Sequence, residues 1–294
     1  MARTNFKHWI QAARPWTLGV AISPVLLGTT IAWSEGGIRW LAALSALLGG
    51  ILIQIGTNLA NDYFDYKKGA DSGTRIGPQR VTQAGLIKPE TVRNGFIACF
   101  GLAFLIGIYL VYLGGMPIVT IGLLSLLLGV IYTGGPFPLA YHGLAELPAF
   151  LFFGPIASAT TTYVQTGDWS PASIVAGFSA GFFSMALLAI NNLRDFEEDR
   201  KAGKNTLIAI FGRGFGVYEY ALAVLAATLA PLALIILKPD HAVVGMTALT
   251  ALMTVLPIRK ADRFVEPIEL ISVLKMTSKL QAIFTVTFII FWLV

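Results

Sequence analysis

The segments Asn61-Asp62-Tyr63-Phe64-Asp65 and Asn191-Asn192-Leu193-Arg194-Asp195-Phe196-Glu197-Glu198-Asp199 each close a long apolar run, and both read Asn-x-x-x-Asp. On a helix, four-residue spacing sets Asn61 with Asp65 on one face and aligns Asn191, Asp195 and Asp199 on another. Two helices can therefore aim columns of oxygen atoms at a common point. Hard oxygen ligands suit Mg²⁺, which combines a few carboxylates with waters and phosphate oxygens. The stretches that follow are basic, with Lys67, Lys68, Arg75 and Arg80 after the first and Arg200, Lys201 and Lys204 after the second. Carboxylates alone would hold a cation. Carboxylates beside Arg and Lys fit a polyanion held partly through a divalent metal and partly by charge-assisted hydrogen bonds, and a diphosphate matches that mixture best.

The elements that position these residues must be membrane helices. With 55% hydrophobic and 13% charged residues and a mean hydropathy of +0.71, the chain is not an ordinary soluble domain. Segments long enough to cross a bilayer run near 16–34, 40–60, 95–114, 116–135, 144–164, 171–192, 216–237, 240–258 and 276–294. The expected fold is all-α: a single polytopic domain over 1–294 with about nine transmembrane helices. With the N-terminus cytoplasmic, 19 of the 21 Lys and Arg residues fall on the cytoplasmic side, leaving Arg39 and Lys238 outside, as the positive-inside rule requires. The net charge of +5 then reflects topology and anionic substrates, and gives no support to nucleic-acid binding. Trp9 and Trp16 fall at the inner edge, and Trp33, Trp40, Trp169 and Trp292 at the outer edge. Small residues such as Gly49, Gly50 and Gly56 are expected to let helices pack closely. Cys99 is the lone cysteine, so an intramolecular disulfide is excluded.

In this topology both acidic segments fall at the cytoplasmic ends of the second and sixth helices. The recurrence reads as a weak internal repeat of helices 1–4 and 5–8, an arrangement that places binding sites at the interface between halves. An ion-coupled transporter also has repeats and intramembrane carboxylates, but its charges belong near the bilayer midplane. Here they gather at one face. A CDP-alcohol phosphotransferase would show Asp-Gly-x-x-Ala-Arg after its first Asp pair, and that string is absent.

Along essentially its whole length the sequence resembles the UbiA superfamily of intramembrane aromatic prenyltransferases, whose two Asp-rich motifs lie on the second and sixth of nine helices. The contexts Lys67-Lys68-Gly69-Ala70-Asp71 and Asp199-Arg200-Lys201-Ala202-Gly203-Lys204-Asn205-Thr206-Leu207 are most similar to the 1,4-dihydroxy-2-naphthoate polyprenyltransferase branch of menaquinone synthesis. So are Arg14-Pro15-Trp16-Thr17-Leu18, Gly77-Pro78-Gln79-Arg80-Val81-Thr82-Gln83-Ala84-Gly85-Leu86 and Tyr132-Thr133-Gly134-Gly135-Pro136-Phe137-Pro138-Leu139. Rival acceptors within the superfamily are 4-hydroxybenzoate, homogentisate, haem and chlorophyllide. In one place the chain departs from the pattern: the third acidic position of the first motif is Gly69, and the nearest acid is Asp71.

The resemblance implies an integral protein of the bacterial cytoplasmic membrane with its site on the cytoplasmic side. It would transfer a polyprenyl group from a diphosphate to 1,4-dihydroxy-2-naphthoate, with no obligate protein partner. Mg²⁺ would be held by Asn61, Asp62, Asp65, Asn191, Asp195 and Asp199, with Asp71 an open question. Asp65, Asp195 and Asp199 would be catalytic, and Arg80, Lys201 and Lys204 would meet the diphosphate. Tyr132, Tyr141 and Glu146 are the candidates for the acceptor, with His142 a weaker one. Phe64, Tyr132, Phe137, Tyr141 and Phe196 stand near the same face as candidates to shield an allylic cation.

Overall fold

The chain begins its membrane passage with a break. In the computed structural model, which describes residues 6–69 and 80–294, α1 (Phe6–Ala13) meets α2 (Gly19–Glu35) through a short 3₁₀ turn at Pro15–Thr17 and a bend of 53°. Pro15 removes an amide donor. Arg14 adopts the left-handed conformation (φ 51°, ψ 70°), which costs a side-chain-bearing residue about 1–2 kcal/mol. The turn is held shut from within and without. The Thr17 amide and hydroxyl both donate to the Arg14 carbonyl at 2.9 Å. From α3 (Trp40–Lys67), the Asn58 amide donates to the Ala13 carbonyl at 3.0 Å and to the Thr17 hydroxyl at 3.1 Å.

Helix α3 has 28 residues and at 1.5 Å per residue spans about 42 Å, well beyond the roughly 30 Å hydrocarbon layer. Its final turns, which carry Asn61 to Asp65, thus reach past the apolar slab. The helix stops at Gly69, whose φ of +64° is the left-handed cap that favours glycine. That is a backbone reason for Gly69 standing where the motif's third acid would fall. Asp71 lies outside the described residues.

Helices α4 (Pro89–Gly114) and α5 (Met116–Ile131) follow, then the broken pair α6 (Glu146–Phe152) and α7 (Pro155–Thr166). The central helix is α8 (Pro171–Arg194), which packs against α2, α6, α7 and α11 (Arg213–Leu229) and against the last helix. Its N-terminus is set by Pro171 in the first turn and by Ser170, whose hydroxyl accepts from the Ser173 amide, the side-chain cap that helix ends favour. Close approach is possible because α8 turns glycines to its neighbours: a Cβ at Gly177 would stand 2.5 Å from the Cα of Pro155. Short helices α9 (Phe196–Lys201) and α10 (Leu207–Phe211) carry the chain from α8 to α11. It ends with α12 (Leu232–Leu237), a 3₁₀ segment over Pro239–Thr254 that breaks near His241, α13 (Val255–Arg263) and α14 (Leu270–Leu293).

Every regular element among the described residues is helical, and the chain is an integral membrane protein. Seven helical stretches are long and apolar enough to span, or eight if the bent α1–α2 pair is one span. The ninth span of the sequence reading is α5, whose 16 residues reach only about 24 Å. Gly114-Gly115 cuts it at one end and Thr133-Gly134-Gly135-Pro136 at the other, each a helix breaker. The end of the bundle away from the acidic motifs holds the Trp33–Trp40 contact (6.3 Å between rings), the Tyr163–Trp169 stack and the Lys238–Glu35 ion pair at 2.7 Å. Trp292 stands at this same end, bonded to Ser34 and stacked on His241, but it is wholly buried inside the protein.

Three apolar clusters hold the bundle: one joins α1, α3 and α4, the largest joins α2, α8, α11 and α14, and a small one around Ala42, Ile118 and Val164 joins α3, α4, α5 and α7. Between them lies a cavity. Of the glycines expected to pack, Gly56 does, since a Cβ there would meet the Phe100 ring at 2.6 Å. Gly49 instead opens onto the cavity with nothing within 4 Å of its missing Cβ. Gly177→Val should therefore cost about 1–3 kcal/mol and lower the thermal midpoint in detergent, whereas Gly49→Ala should leave it within error.

Candidate active site

The last turns of α3 split the first motif between two jobs. Asn61 and Asp65 face the cavity, and Asp62, one residue round the helix, does not. Its carboxylate accepts the backbone amides of Val81 at 3.0 Å and Thr82 at 3.3 Å. Asp62 thus pins the returning loop to α3, and that docking lays the Arg80 guanidinium on Asp65 at 2.7 Å. The sequence reading made Asp62 a metal ligand; the structure gives it the loop instead, because successive residues on a helix are turned about 100° apart.

Asp65 is 1% exposed, a burial that a carboxylate tolerates only with partners. It has three: Arg80, the Lys204 ammonium at 3.1 Å, and the Tyr141 hydroxyl, which donates at 2.9 Å. Lys204 also lies 3.9 Å from Asp199. Its position follows from the backbone, since its amide donates to the Asp199 carbonyl and the next amide, Asn205, donates to the Tyr141 carbonyl. The loop after α9 and the loop before α6 are thereby stitched together over the end of α3.

The second motif ends α8 at a bend. Asp195 leaves the helix (φ −90°, ψ 6°), and the short α9 brings Asp199 back to the same cavity. Arg194 grips Asp195 through two hydrogen bonds of 2.6 and 2.7 Å, a fork-on-carboxylate geometry that fixes orientation as well as charge. Asn191 spends its amide N–H on the Leu187 carbonyl, so its oxygen is the atom left for a ligand. Asn61 accepts from the Thr133 hydroxyl, and Lys68 donates to the Thr133 carbonyl at 2.7 Å while lying 4.3 Å above the Tyr141 ring. Desolvation of that ammonium pushes Lys68 below its ordinary range; nearby Asp65 opposes the shift and Lys204 adds to it.

Of the other expected residues, Lys204 and Tyr132 line the cavity and Lys201 does not; it points to solvent from α9. Tyr141 acts from behind, through Asp65. Glu146 also stands behind the wall, accepting at 3.3 Å from Asn192, which does line it. His142 is closed on its own loop, stacked on Phe137 and bonded to the Pro138 carbonyl. Phe64 packs with Tyr63 and Phe96 in the α3–α4 cluster, Phe137 is exposed, and Phe196 packs against the large core under Arg200. None of these three lines the cavity; Phe104, Phe152 and Phe153 do. Thr133 and Arg194 were missed as site residues, although Arg194 sits inside the second motif beside Asp195.

The cavity measures about 720 Å³ and has two characters. One end is walled by three carboxylates (Asp65, Asp195, Asp199), four cations (Arg14, Arg80, Arg194, Lys204) and the amides Asn61, Asn191 and Asn192; the rest is apolar and runs between α2, α3, α4, α5 and α7. Among the described residues no three His, Cys, Asp or Glu side chains group as a metal cluster; Lys204 stands between Asp65 and Asp199. The donor set nevertheless fits a hard divalent ion: Asn61, Asp65, Asn191, Asp195 and Asp199 put five oxygen-bearing side chains on one wall.

A bundle with paired Asn-x-x-x-Asp helix ends over a half-polar, half-apolar chamber is the architecture of an intramembrane prenyltransferase. The UbiA prenyltransferase family model matches residues 21–265, and the chain belongs to that family. It is 34% identical over 278 residues to the 1,4-dihydroxy-2-naphthoate octaprenyltransferase of Escherichia coli K12, covering 92% of this chain and 90% of that protein. Against the enzyme of the same name from Mycobacterium tuberculosis it is 36% identical over 225 residues, covering 75% and 76%. The structure of a UbiA homolog from Archaeoglobus fulgidus bound to DMAPP and Mg²⁺ superposes with a TM-score of 0.69 at 14% identity, covering 97% of this chain and 99% of that one.

The division of labour within the first motif is testable by turnover of the purified protein. Asp65→Asn should lower kcat by about 100-fold or more. Asp62→Asn, which keeps an oxygen for one of the two loop amides, should lose less, about tenfold, the lower end of what one hydrogen bond to a charged group contributes.

Proposed function

We propose that the chain transfers a polyprenyl group from an allylic diphosphate to 1,4-dihydroxy-2-naphthoate, with loss of diphosphate and CO₂, giving a demethylmenaquinol. We place it in a bacterial cytoplasmic membrane with the polar end of the cavity on the cytoplasmic side. The observation that carries this reading is the continuity of one cavity from a charged end to an apolar chamber. A prenyl diphosphate has the same two halves.

The charged end neutralises the leaving group. Three carboxylates against four cations leave a net positive wall. Mg²⁺, when bound by Asn61, Asp65, Asn191, Asp195 and Asp199, supplies further positive charge to the diphosphate oxygens. Arg80 and Lys204, now held on Asp65, are placed to donate to the diphosphate directly. The apolar chamber takes the tail, each buried CH₂ contributing about 0.8 kcal/mol, and the bare face of Gly49 widens it.

Ionisation breaks the allylic C–O bond, and its electron pair leaves with the diphosphate. The electron-rich ring carbon that bears the carboxylate attacks the allylic carbon. The C–C bond to the carboxylate then breaks and its pair restores the aromatic ring as CO₂ departs. No ring proton has to be removed, so no side chain has to act as a base at carbon. This agrees with Glu146 and His142 standing outside the wall. Apolar walls and the closed loops over α3 keep water from the cation.

The deciding assay is mass spectrometry of products from detergent-purified protein, Mg²⁺ and a polyprenyl diphosphate, offered 1,4-dihydroxy-2-naphthoate, 4-hydroxybenzoate or homogentisate in separate reactions. A prenylated, decarboxylated naphthoquinol is expected only with the first. Product from another acceptor would move the assignment to that acceptor. EDTA should abolish turnover and Mg²⁺ restore it. Arg80→Ala should raise the KM for the diphosphate by about tenfold or more, and an unchanged donor dependence would remove Arg80 from the diphosphate site.

A further inference from the structure

The face of α8 that looks into the cavity carries two columns of residues at four-residue spacing. Leu187, Asn191 and Asp195 make the first; Ser184, Leu188 and Asn192 make the second, turned about 100° from it. The first column ends in oxygen atoms that fit a metal. The second faces α6, whose Pro148, Ala149 and Phe152 line the adjoining wall. Asn192 thus stands one column away from the metal residues, at the edge of an apolar surface suited to a flat ring.

Its side chain is held in one orientation. Glu146, 5% exposed at the start of α6, stands behind the wall and accepts from the Asn192 amide at 3.3 Å. A carboxylate can only accept, so it takes the nitrogen branch of the amide and leaves the oxygen branch for the cavity. Neither residue is hydrogen-bonded to another side chain among the described residues. Asn58 and Asn61 differ, because their side chains are engaged by the turn at Ala13–Thr17 and by Thr133. The Asn192 oxygen is therefore an acceptor open to a donor, and of the two substrates only a hydroxylated ring brings an O–H.

Resting on the reading that the acceptor is a hydroxylated aromatic acid, we propose that the Asn192 oxygen accepts the hydroxyl hydrogen next to the reacting ring carbon, and that Glu146 is the positioning residue that turns it there. When that carbon attacks the allylic cation, the new C–C bond takes a pair of ring electrons and the neighbouring hydroxyl oxygen shares the positive charge left behind. Its hydrogen bond to Asn192 becomes charge-assisted and strengthens. The proton stays on the oxygen, and the charge is cancelled when the bond to the carboxylate breaks and its pair returns to the ring. The contact is worth more in the transition state than in the ground state, so its loss falls on kcat.

The test uses the full-length protein in detergent, with kcat, both KM values and the Mg²⁺ concentration for half-maximal rate. Asn192→Ala suits a helix and should lower kcat about 10- to 100-fold, with donor KM and the Mg²⁺ requirement within about twofold. Glu146→Leu frees the amide without touching substrate and should lower kcat about 3- to 10-fold; Glu146→Gln keeps an accepting oxygen and should stay within about twofold of wild type. The double variant Asn192→Ala/Glu146→Leu should be no slower than Asn192→Ala, because one residue acts through the other. It leaves no unpaired polar group, so it gives a reading where Glu146→Leu fails to fold. An unchanged kcat in Asn192→Ala overturns the proposal. So does a loss carried by donor KM or by Mg²⁺, which would make Asn192 a ligand of the metal or diphosphate, and so does a double variant slower than Asn192→Ala, which would detach Glu146 from it. If the wild type uses 4-hydroxybenzoate in place of 1,4-dihydroxy-2-naphthoate, only the acceptor assignment falls and the same readings are taken on that acid. Prenylation of no aromatic acid overturns both.

Discussion

The buried carboxylate of Asp65 is the constraint on which the rest of the site depends. At 1% exposure it stays charged only by gathering partners, and the three it gathers come from three different loops: Arg80, Tyr141 and Lys204. A buried ion pair is not by itself a large source of stability, because desolvation offsets most of the attraction, but breaking one leaves an uncompensated charge at a cost of about 3–5 kcal/mol. Asp65 therefore acts as a registration point. It decides where the loops after α3, before α6 and after α9 come to rest.

A second constraint is length. Helix α3 is longer than the apolar slab, and the excess carries its motif beyond the slab into a zone where water and ions can reach. Helix α8 ends at a bend instead, and α9 returns Asp199 to the cavity. Two different backbone solutions thus deliver the same pattern of oxygen atoms. The chamber beneath them exists because the apolar side chains divide into separate clusters rather than one, and because small residues face the gap.

Much of this was legible in the sequence, for identifiable reasons. Composition alone required membrane helices, and four-residue spacing alone placed Asn61 with Asp65 and Asn191 with Asp195 on shared faces. Direction around the axis was harder to read. Asp62 looked like a ligand because it is acidic and adjacent, yet a turn of about 100° points it at backbone amides 19 and 20 residues away. Lys201 and Lys204 were equivalent in sequence, and only the turn after α9, closed by the amide of Lys204 on Asp199, separates them. Glycines carry no side-chain signal, so Gly49 at the cavity and Gly56 under Phe100 could not be told apart without the neighbouring helix. Arg14 read as topology because a left-handed turn is invisible in a residue type that rarely adopts one.

The partners of Asp65 also differ in when they exist. Arg80 follows it by 15 residues, Tyr141 by 76 and Lys204 by 139. At a synthesis rate of roughly 5–20 residues per second, the last of them is made about 7–28 s after Asp65 itself. For roughly the first half of that interval, before Tyr141 is made, Arg80 is the one of these three partners that exists. The docking of Arg80 by Asp62 is then more than a detail of the finished site. It is the early, short-range pairing that lets α3 wait, with its charge covered, for the second half of the protein to be born.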